Sequence, residues 1–556
     1  LRNRKVQFFA ALVPILVFLF FVPSLFNGFV NWDDPDVILD NPLIKNLSWH
    51  AIHTILVNMW TGQYHRFIPL SMVFFTVEYH LFGTHPFGYH LVSVLFHCLN
   101  SLGVFIFVYL LSSGVGAAFF AAMLFGLHPL QVEPVVWIAA GHYPIGAFFF
   151  LCSVILYLKR LEGMSFFAFF LALLFYSLLA LPLPLILLAI DYYGQGVISW
   201  KNLYRKVPFF ILSLYFGWLT LQAAHHTEAN YVPFFLAHQL PLSVRLNLSS
   251  ESLWLYGQKF LIPYHLSCYY PVIYYFHKGL FLYTLLGGAV LFLVARLHRH
   301  KELRICVLGL AWLLLTMVPF LHIYGVGESI IYNRYLYIPS IGILLMLIGI
   351  GRSLRLKEIA RWAAFVWIIG ILLLSSCQIA LWRDSGILWT NFIAQYPQFP
   401  DGYLNRSDYY LTMDKPRLAL RDTDTLLKIY PQNAPALQNR GHAYLELRQW
   451  QAEIEAYTKV IELNPGFTSI YVDRGTAYYM LGKDDLALND YNRALRQNPL
   501  EVNALFNRGM VYFYDKEYRH SLIDFHQVVL IDPSNDLAKG KIVDIEHILS
   551  GRKYEN

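Results

Sequence analysis

RKVQFFAALVPILVFLFFVPSLFNGFVNWDDPD, residues 4–36, decides how this chain is read. From Val6 to Phe29 it carries no charge, and about 20 apolar residues cross a bilayer as a helix. A basic start (Arg2, Arg4, Lys5) precedes it. The run is too long for the apolar part of a signal peptide, and no small-residue cleavage site follows, so it reads as a first transmembrane helix. Directly after it come two adjacent carboxylates, Asp33 and Asp34. They stand where the chain re-enters water.

The remaining composition fits that beginning. Hydrophobic residues make up 57% of the 556 residues and charged residues 14%, against about 45–50% and 25% in soluble domains. Mean hydropathy is +0.45. So few charges cannot cover one soluble globule of this size, and a soluble enzyme is excluded for most of the length. The five cysteines, at 98, 152, 268, 306 and 377, form no CxxC pair and suggest neither a zinc site nor a disulfide framework.

Apolar runs continue at 87–111, 114–127, 135–158, 165–181, 182–193, 207–224, 279–297, 304–321, 335–351 and 360–382, giving eleven expected spans. The pair at 165–193 is short, so a tight turn of two short helices is expected at Leu181-Pro182-Leu183-Pro184. Basic residues separate by side. Arg2, Arg4, Lys5, Lys159, Arg160, Lys201, Arg205, Lys206, Arg296, Arg299, Lys301, Arg304, Arg352, Arg355, Lys357 and Arg361 all fall on one side. The longer opposite loops hold only Lys45, Arg66, Arg245, Lys259, Lys278 and Arg334. The positive-inside rule places the richer set in the cytoplasm, and everything after residue 384 is then extracytoplasmic.

The tail is an array. Pro397, Pro431, Pro465, Pro499 and Pro533 recur every 34 residues. Ser407, Gly441, Gly475 and Gly509 keep the same period, as do Tyr410, Tyr444, Tyr478 and Tyr512. This is the tetratricopeptide (TPR) pattern of paired helices. Residues 534–550 read as a capping helix. The expected fold is all-α: a polytopic membrane domain over 1–384, then an α-solenoid of four repeats and a cap over 391–556. The repeated Tyr and Arg read as scaffold, and the array offers a groove for a protein partner.

The chemistry must lie in the outer loops. A carboxylate at the water boundary can act as a general base or hold a divalent metal, and Asp33 and Asp34 equally suit a turn before Pro35. Arg66 suits a phosphate. Stretches 46–60 and 67–82 read as helices lying along the membrane, anchored by Trp49, Trp60 and Tyr79. His128 and Glu133 stand five apart in the second outer loop, and Glu328 and Arg334 precede the last spans. His90 and His97 share one face of the second span, where ionisable groups are functional suspects or packed neutral imidazoles.

In order, the chain shows NWDDP (31–35), HRFIPL (65–70), PFGYHLVSVLFH (86–97), HPLQVEPVVW (128–137), NRYLYIPSIG (333–342) and then the repeats. This resembles the transmembrane-and-TPR O-mannosyltransferases and their bacterial relatives, which are glycosyltransferases of the GT-C fold. The resemblance implies transfer of a sugar, typically mannose, from a polyprenyl-phosphate donor to protein hydroxyls at the extracytoplasmic face. It maps the catalytic base onto Asp33 or Asp34 and the second-loop acid onto Glu133. It maps the donor phosphate onto Arg66 and Arg334. His128, which with Glu133 could help hold an acceptor or metal, and His90 are supporting candidates by their places in the sequence. No cofactor is required by this reading, and a divalent metal ion stays open. The short loops and four repeats suit a bacterial inner-membrane protein with its repeats in the periplasm. Membrane lipid is a partner; nucleic acid is not.

Three stretches depart from the family. Ala140-Gly141-His142-Tyr143-Pro144 replaces a charged cluster, Leu-Pro-Leu-Pro replaces a Ser-Lys-Pro segment, and Asn333 stands where relatives carry an acid. They support a second reading, a catalytically inactive membrane scaffold whose repeats recruit a partner into a larger assembly.

Overall fold

A computed structural model describes residues 3–60, 67–228, 241–274, 304–323, 328–353 and 358–550. The described residues are helical, with a single isolated β-bridge between Pro271 and Ser329. The chain divides into two units, residues 1–391 and 392–556.

In the first unit, four helices among the described residues are long and apolar enough to cross a membrane: Arg4–Phe26, Pro86–Ser112, Ile138–Leu158 and Glu162–Ala180. Two bent pairs, Val115–Leu127 with Pro129–Val136 and Phe365–Leu381 with Ser385–Gln395, raise the number to six if each is one span. Arg304–Phe320 and Ser340–Arg352 are shorter apolar helices. Of the other expected spans, 182–193 and 207–224 fall on the helices Leu183–Gln195 and Trp200–Glu228. The span expected at 279–297 lies outside the described residues. Helices Trp49–Trp60 and Pro69–Phe82 occupy the two stretches read as membrane-surface helices.

The first helix shows how an apolar run is shared between protein and lipid. Val6, Val13, Val17 and Phe21 are buried, whereas Phe8, Ile15 and Leu19 are exposed. The buried set follows helical spacing and makes one face. The chain breaks after Ala180, where Pro182 and Pro184 cannot continue the hydrogen-bond ladder. The Leu181 carbonyl accepts from the Ser213 hydroxyl at 2.9 Å, so this backbone oxygen is satisfied by protein.

Small and polar residues set the helix contacts. At the crossing of Arg304–Met317 with Ser340–Ser353, a Cβ on Gly309 or Gly342 would run into the facing backbone. Such close approach is how helices associate where no hydrophobic drive distinguishes protein from lipid. His97 lies 2.7 Å from the Tyr337 hydroxyl and 2.9 Å from the Gly126 carbonyl, and Asn100 donates to both Pro144 O and Tyr337 Oη. His97 is therefore a packed, fully engaged imidazole. Lys206 and Asp191 form a buried ion pair, and the Tyr157 hydroxyl is hydrogen bonded to both.

The second unit is the repeat array: helix pairs Pro400–Thr412 with Pro416–Ile429, Ala434–Glu446 with Trp450–Leu463, Thr468–Met480 with Asp484–Gln497, and Val502–Tyr514 with Tyr518–Ile531, then Asp536–Ser550. The periodic glycines let the helices of a pair meet. A Cβ on Gly441 would strike the Tyr457 ring, and one on Gly475 would reach Tyr491 Cε1 at 2.7 Å. The periodic arginines brace each pair. Arg406, Arg474 and Arg508 make bidentate bonds of 2.7–2.8 Å to Asp422, Asp490 and Asp524, each sixteen residues on. Paired in this way, they are scaffold.

Candidate functional site

The loop after the first helix is fastened to the membrane unit residue by residue. The Asn27 amide donates to Ile379 O (3.0 Å) and the Gly28 N–H to Arg383 O (2.9 Å). Asn31 receives the Trp389 indole N–H on its side chain and donates its backbone N–H to Ser385 Oγ. From below, His90 Nε2 lies 3.0 Å from the Asn27 carbonyl.

This anchoring separates the two carboxylates that sequence alone left equivalent. Asp34 is closed off from solvent: it is 1% exposed. Its two oxygens each accept a backbone amide at 2.8 Å, one from Val30 and one from Ala139. Those bonds close the NWDDP turn onto the uncharged 138–141 turn across 105 residues of sequence. Burial pushes the Asp34 carboxyl up to about 7, the two amides pull it down, and the neighbouring Asp33 charge adds to the rise. Asp33 is only part-buried.

Next to this turn lies an aromatic and ionic cluster. Trp32 stacks on Trp137 (centroids 4.7 Å apart, planes at 11°), and both stack on Trp382. The Arg334 guanidinium lies 4.9 Å from the Trp137 ring, 5.5 Å from Trp32 and 4.0 Å from Tyr332. It donates to Glu133 Oε1 at 2.7 Å, with both residues at most 5% exposed. Asn333 donates to Glu133 Oε2 at 3.0 Å and to the Ser267 carbonyl at 2.8 Å, and its own oxygen accepts from Tyr270 Oη. Burial pushes the Glu133 carboxyl up, and the Arg334 charge with the hydrogen bonds from Arg334 and Asn333 opposes this. The network brings Asp33, Asp34, Glu133 and Arg334 into one neighbourhood through the shared Trp32–Trp137 stack.

The other expected residues are placed differently. Arg66 lies outside the described residues. His128 is wholly buried; Nε2 is 2.9 Å from the Phe260 carbonyl, Nδ1 accepts from the Leu130 amide, and its ring stacks on Phe260 at 4.3 Å. Both nitrogens are thus committed inside the protein. Glu328 is exposed, and its carbonyl accepts from the Val272 amide. His142 is buried, with Nδ1 3.0 Å from the Ala139 carbonyl. Among the described residues, no group of three or more His, Cys, Asp or Glu is arranged to hold a metal ion. Sequence reading missed Trp137, Trp382 and the partnership of Asn333. Trp137 is the last residue of the HPLQVEPVVW motif and Trp382 the last of the 360–382 run, but nothing periodic marks them.

The described architecture is an all-helical polytopic membrane unit followed by a TPR array. Family models described as tetratricopeptide repeat and TPR repeat match residues 434–467 and 475–514. The chain is similar to protein O-mannosyl-transferases of the TMTC group. It is 30% identical to TMTC3 of Mus musculus over 143 residues, which are 24% of this chain and 15% of that protein. It is 33% identical to Tmtc1 of Drosophila melanogaster over 127 residues, 22% and 14% of the two chains. With TMTC2 of Homo sapiens it shares 30% over 138 residues, 23% and 16%. The chain thus matches about 15% of the length of these relatives. Among solved structures, a crystal structure of MamA aligns with 33% of this chain and 99% of its own (16% identity, TM-score 0.26). The first TPR of Spaghetti (RPAP3), bound to an HSP90 peptide, covers 21% and 94% (26% identity, TM-score 0.21).

Proposed function

We propose that this chain is an integral-membrane glycosyltransferase of GT-C type. It would move a mannose-like sugar from a polyprenyl-phosphate donor to a protein hydroxyl at the extracytoplasmic face. The observation that carries this reading is the division of labour between adjacent carboxylates. Asp34 is locked into the backbone, and Asp33 stays part-exposed next in the chain to Trp32, whose ring faces the Arg334 of the buried Glu133–Arg334 pair. In the proposed reaction Asp33 takes the proton of the acceptor hydroxyl as its oxygen bonds to the anomeric carbon, and the donor phosphate leaves with the bonding pair. Arg334 and Arg66 would stabilise that departing phosphate, and Asp34 and Glu133 would hold the base and the arginine in place. The similarity to named O-mannosyl-transferases supports the sugar and the protein acceptor. The basic-residue asymmetry supports repeats on the outer side, where they would recruit the acceptor, and the short loops and four repeats suit a bacterial periplasm.

The test is transfer from a polyprenyl-phosphate sugar to periplasmic proteins by the reconstituted full-length chain. Asp33→Asn should lower the rate about 10²–10⁴-fold while the protein stays folded. Full activity of Asp33→Asn would refute the assignment, and repeating the assay with a chelator reads whether a divalent ion takes part. One observation favours the scaffold reading: Arg334 already faces a carboxylate. On that reading no lipid-linked sugar supports transfer, and the repeats capture a stable partner with no sugar involved.

A further inference from the structure

Helices His142–Leu158 and Glu162–Ala180 run side by side and lie within two of the spans identified above. Beside the turn that joins them, two serines clasp them together. Ser153 Oγ donates to Ser165 O at 2.7 Å and Ser165 Oγ to Ser153 O at 2.8 Å. The helices cannot move closer there, yet alongside this clasp they leave a crevice of about 380 Å³. Phe148, Cys152 and Leu156 form one wall, and Gly163, Met164 and Phe167 the other. No charged side chain lines it.

The turn between the walls supplies the opposite chemistry. Lys159 follows Leu156 by three residues, Arg160 precedes Gly163 by three, and both are exposed. The acid of this turn, Glu162, is already paired with Arg205 at 3.1 Å. Among the described residues, no carboxylate lies within ion-pair distance of Lys159 or Arg160. An apolar slot between two membrane-spanning helices, three residues along the chain from two cations with no described carboxylate partner, suits a lipid with an anionic head and an acyl tail.

We propose that this crevice holds an acyl chain of an anionic phospholipid whose headgroup rests on Lys159 and Arg160. Two basic residues at a membrane surface give on the order of tenfold or greater preference for an anionic over a zwitterionic head. Gly163 is where the tail can be displaced, because a Cβ there meets nothing within 4 Å. A larger side chain at 163 would therefore extend into open space without disturbing the packing.

Full-length protein in micelles doped equally with phosphatidylglycerol and phosphatidylcholine would be examined by native mass spectrometry. Wild type should retain phosphatidylglycerol at least several-fold over phosphatidylcholine. Lys159→Gln with Arg160→Asn should erase that preference; Asn tolerates the positive φ of residue 160. Gly163→Leu should lower retention of both lipids. Cys152, in the wall, locates the effect: phosphatidylglycerol should slow its alkylation by an apolar maleimide, and phosphatidylcholine should not. Equal retention of both lipids by wild type would overturn the proposal. So would unchanged retention in the variants, or Cys152 alkylation indifferent to phosphatidylglycerol.

Discussion

Glu453 sits where the repeat array can least accommodate a charge. In the 34-residue register its counterparts are Ala419, Ala487 and Ser521, all wholly buried. Glu453 is also 0% exposed, and neither carboxylate oxygen has a hydrogen-bond partner. Burial first, then the charge of Asp473 on the next repeat, pushes its carboxyl from 4.5 to about 8. The folded chain therefore keeps a proton that the unfolded chain releases. Stability should fall as pH rises from about 4.5 to about 8, and level off above that. Converted at 1.36 kcal/mol per unit, the shift has a ceiling of about 5 kcal/mol. Both helices have solvated outer faces, and screening reduces this to about 2 kcal/mol at pH 8. Glu453→Ala installs the residue two other repeats already use. Hydrogen exchange of the full-length protein, corrected for intrinsic rates, should then show peptides from 450–463 about 30-fold better protected than wild type at pH 8. The gap should shrink toward pH 5, while peptides from 484–497 serve as the internal reference. Faster exchange in Glu453→Ala at pH 8 would mean that the carboxylate supports the repeat, and the reasoning would fail.

Three further outcomes follow from the packing. Arg440 lacks the carboxylate its counterparts use because Ala456 occupies that register position; its Nε is buried without a partner. Ala456→Asp should stabilise the same repeat by about 1–2 kcal/mol, read as slower exchange over 434–463. Gly342→Leu should abolish the close crossing with Arg304–Met317 and cost more than about 3 kcal/mol, seen as a lost monodisperse peak and a lowered Tm in detergent. Arg334→Met should destabilise the membrane unit by about 3–5 kcal/mol by stranding Glu133, and Arg334→Met with Glu133→Gln should recover much of that loss of Tm.

How far the fold is legible in sequence depends on how local its contacts are. Each repeat is a supersecondary unit, so its Gly beneath an aromatic ring and its Arg sixteen residues before an Asp lie within one period. Comparing periods therefore exposes the architecture. The same comparison would have marked Glu453 and Ala456 as departures from the register. The membrane unit has no internal period. Hydropathy locates its apolar runs, 207–224 inside Trp200–Glu228 among them, but not the partners each run packs against. Asp33 and Asp34 are equivalent as a sequence pair. Only the fastening of Asp34 to Ala139, 105 residues away, makes one structural and leaves the other part-exposed.

Asn333 illustrates the same limit most sharply. Read along the chain it is a lost acid, which points toward a silent site. In space its amide donates to Glu133, the carboxylate that also receives Arg334. An acid at 333 would set a second negative charge against Glu133 in a buried pocket that holds one guanidinium. Burial would then force one of the two carboxyls to take up a proton. The amide supplies a donor where an acid would supply repulsion, so Glu133 keeps Arg334 as its ionic partner among the described residues. Asn333 is therefore matched to the ion pair beside it, and its presence does not by itself argue against a working site. For the proposed transfer the Arg334–Glu133 pair would have to loosen to admit the donor phosphate, and Asn333 can keep Glu133 hydrogen bonded while it does.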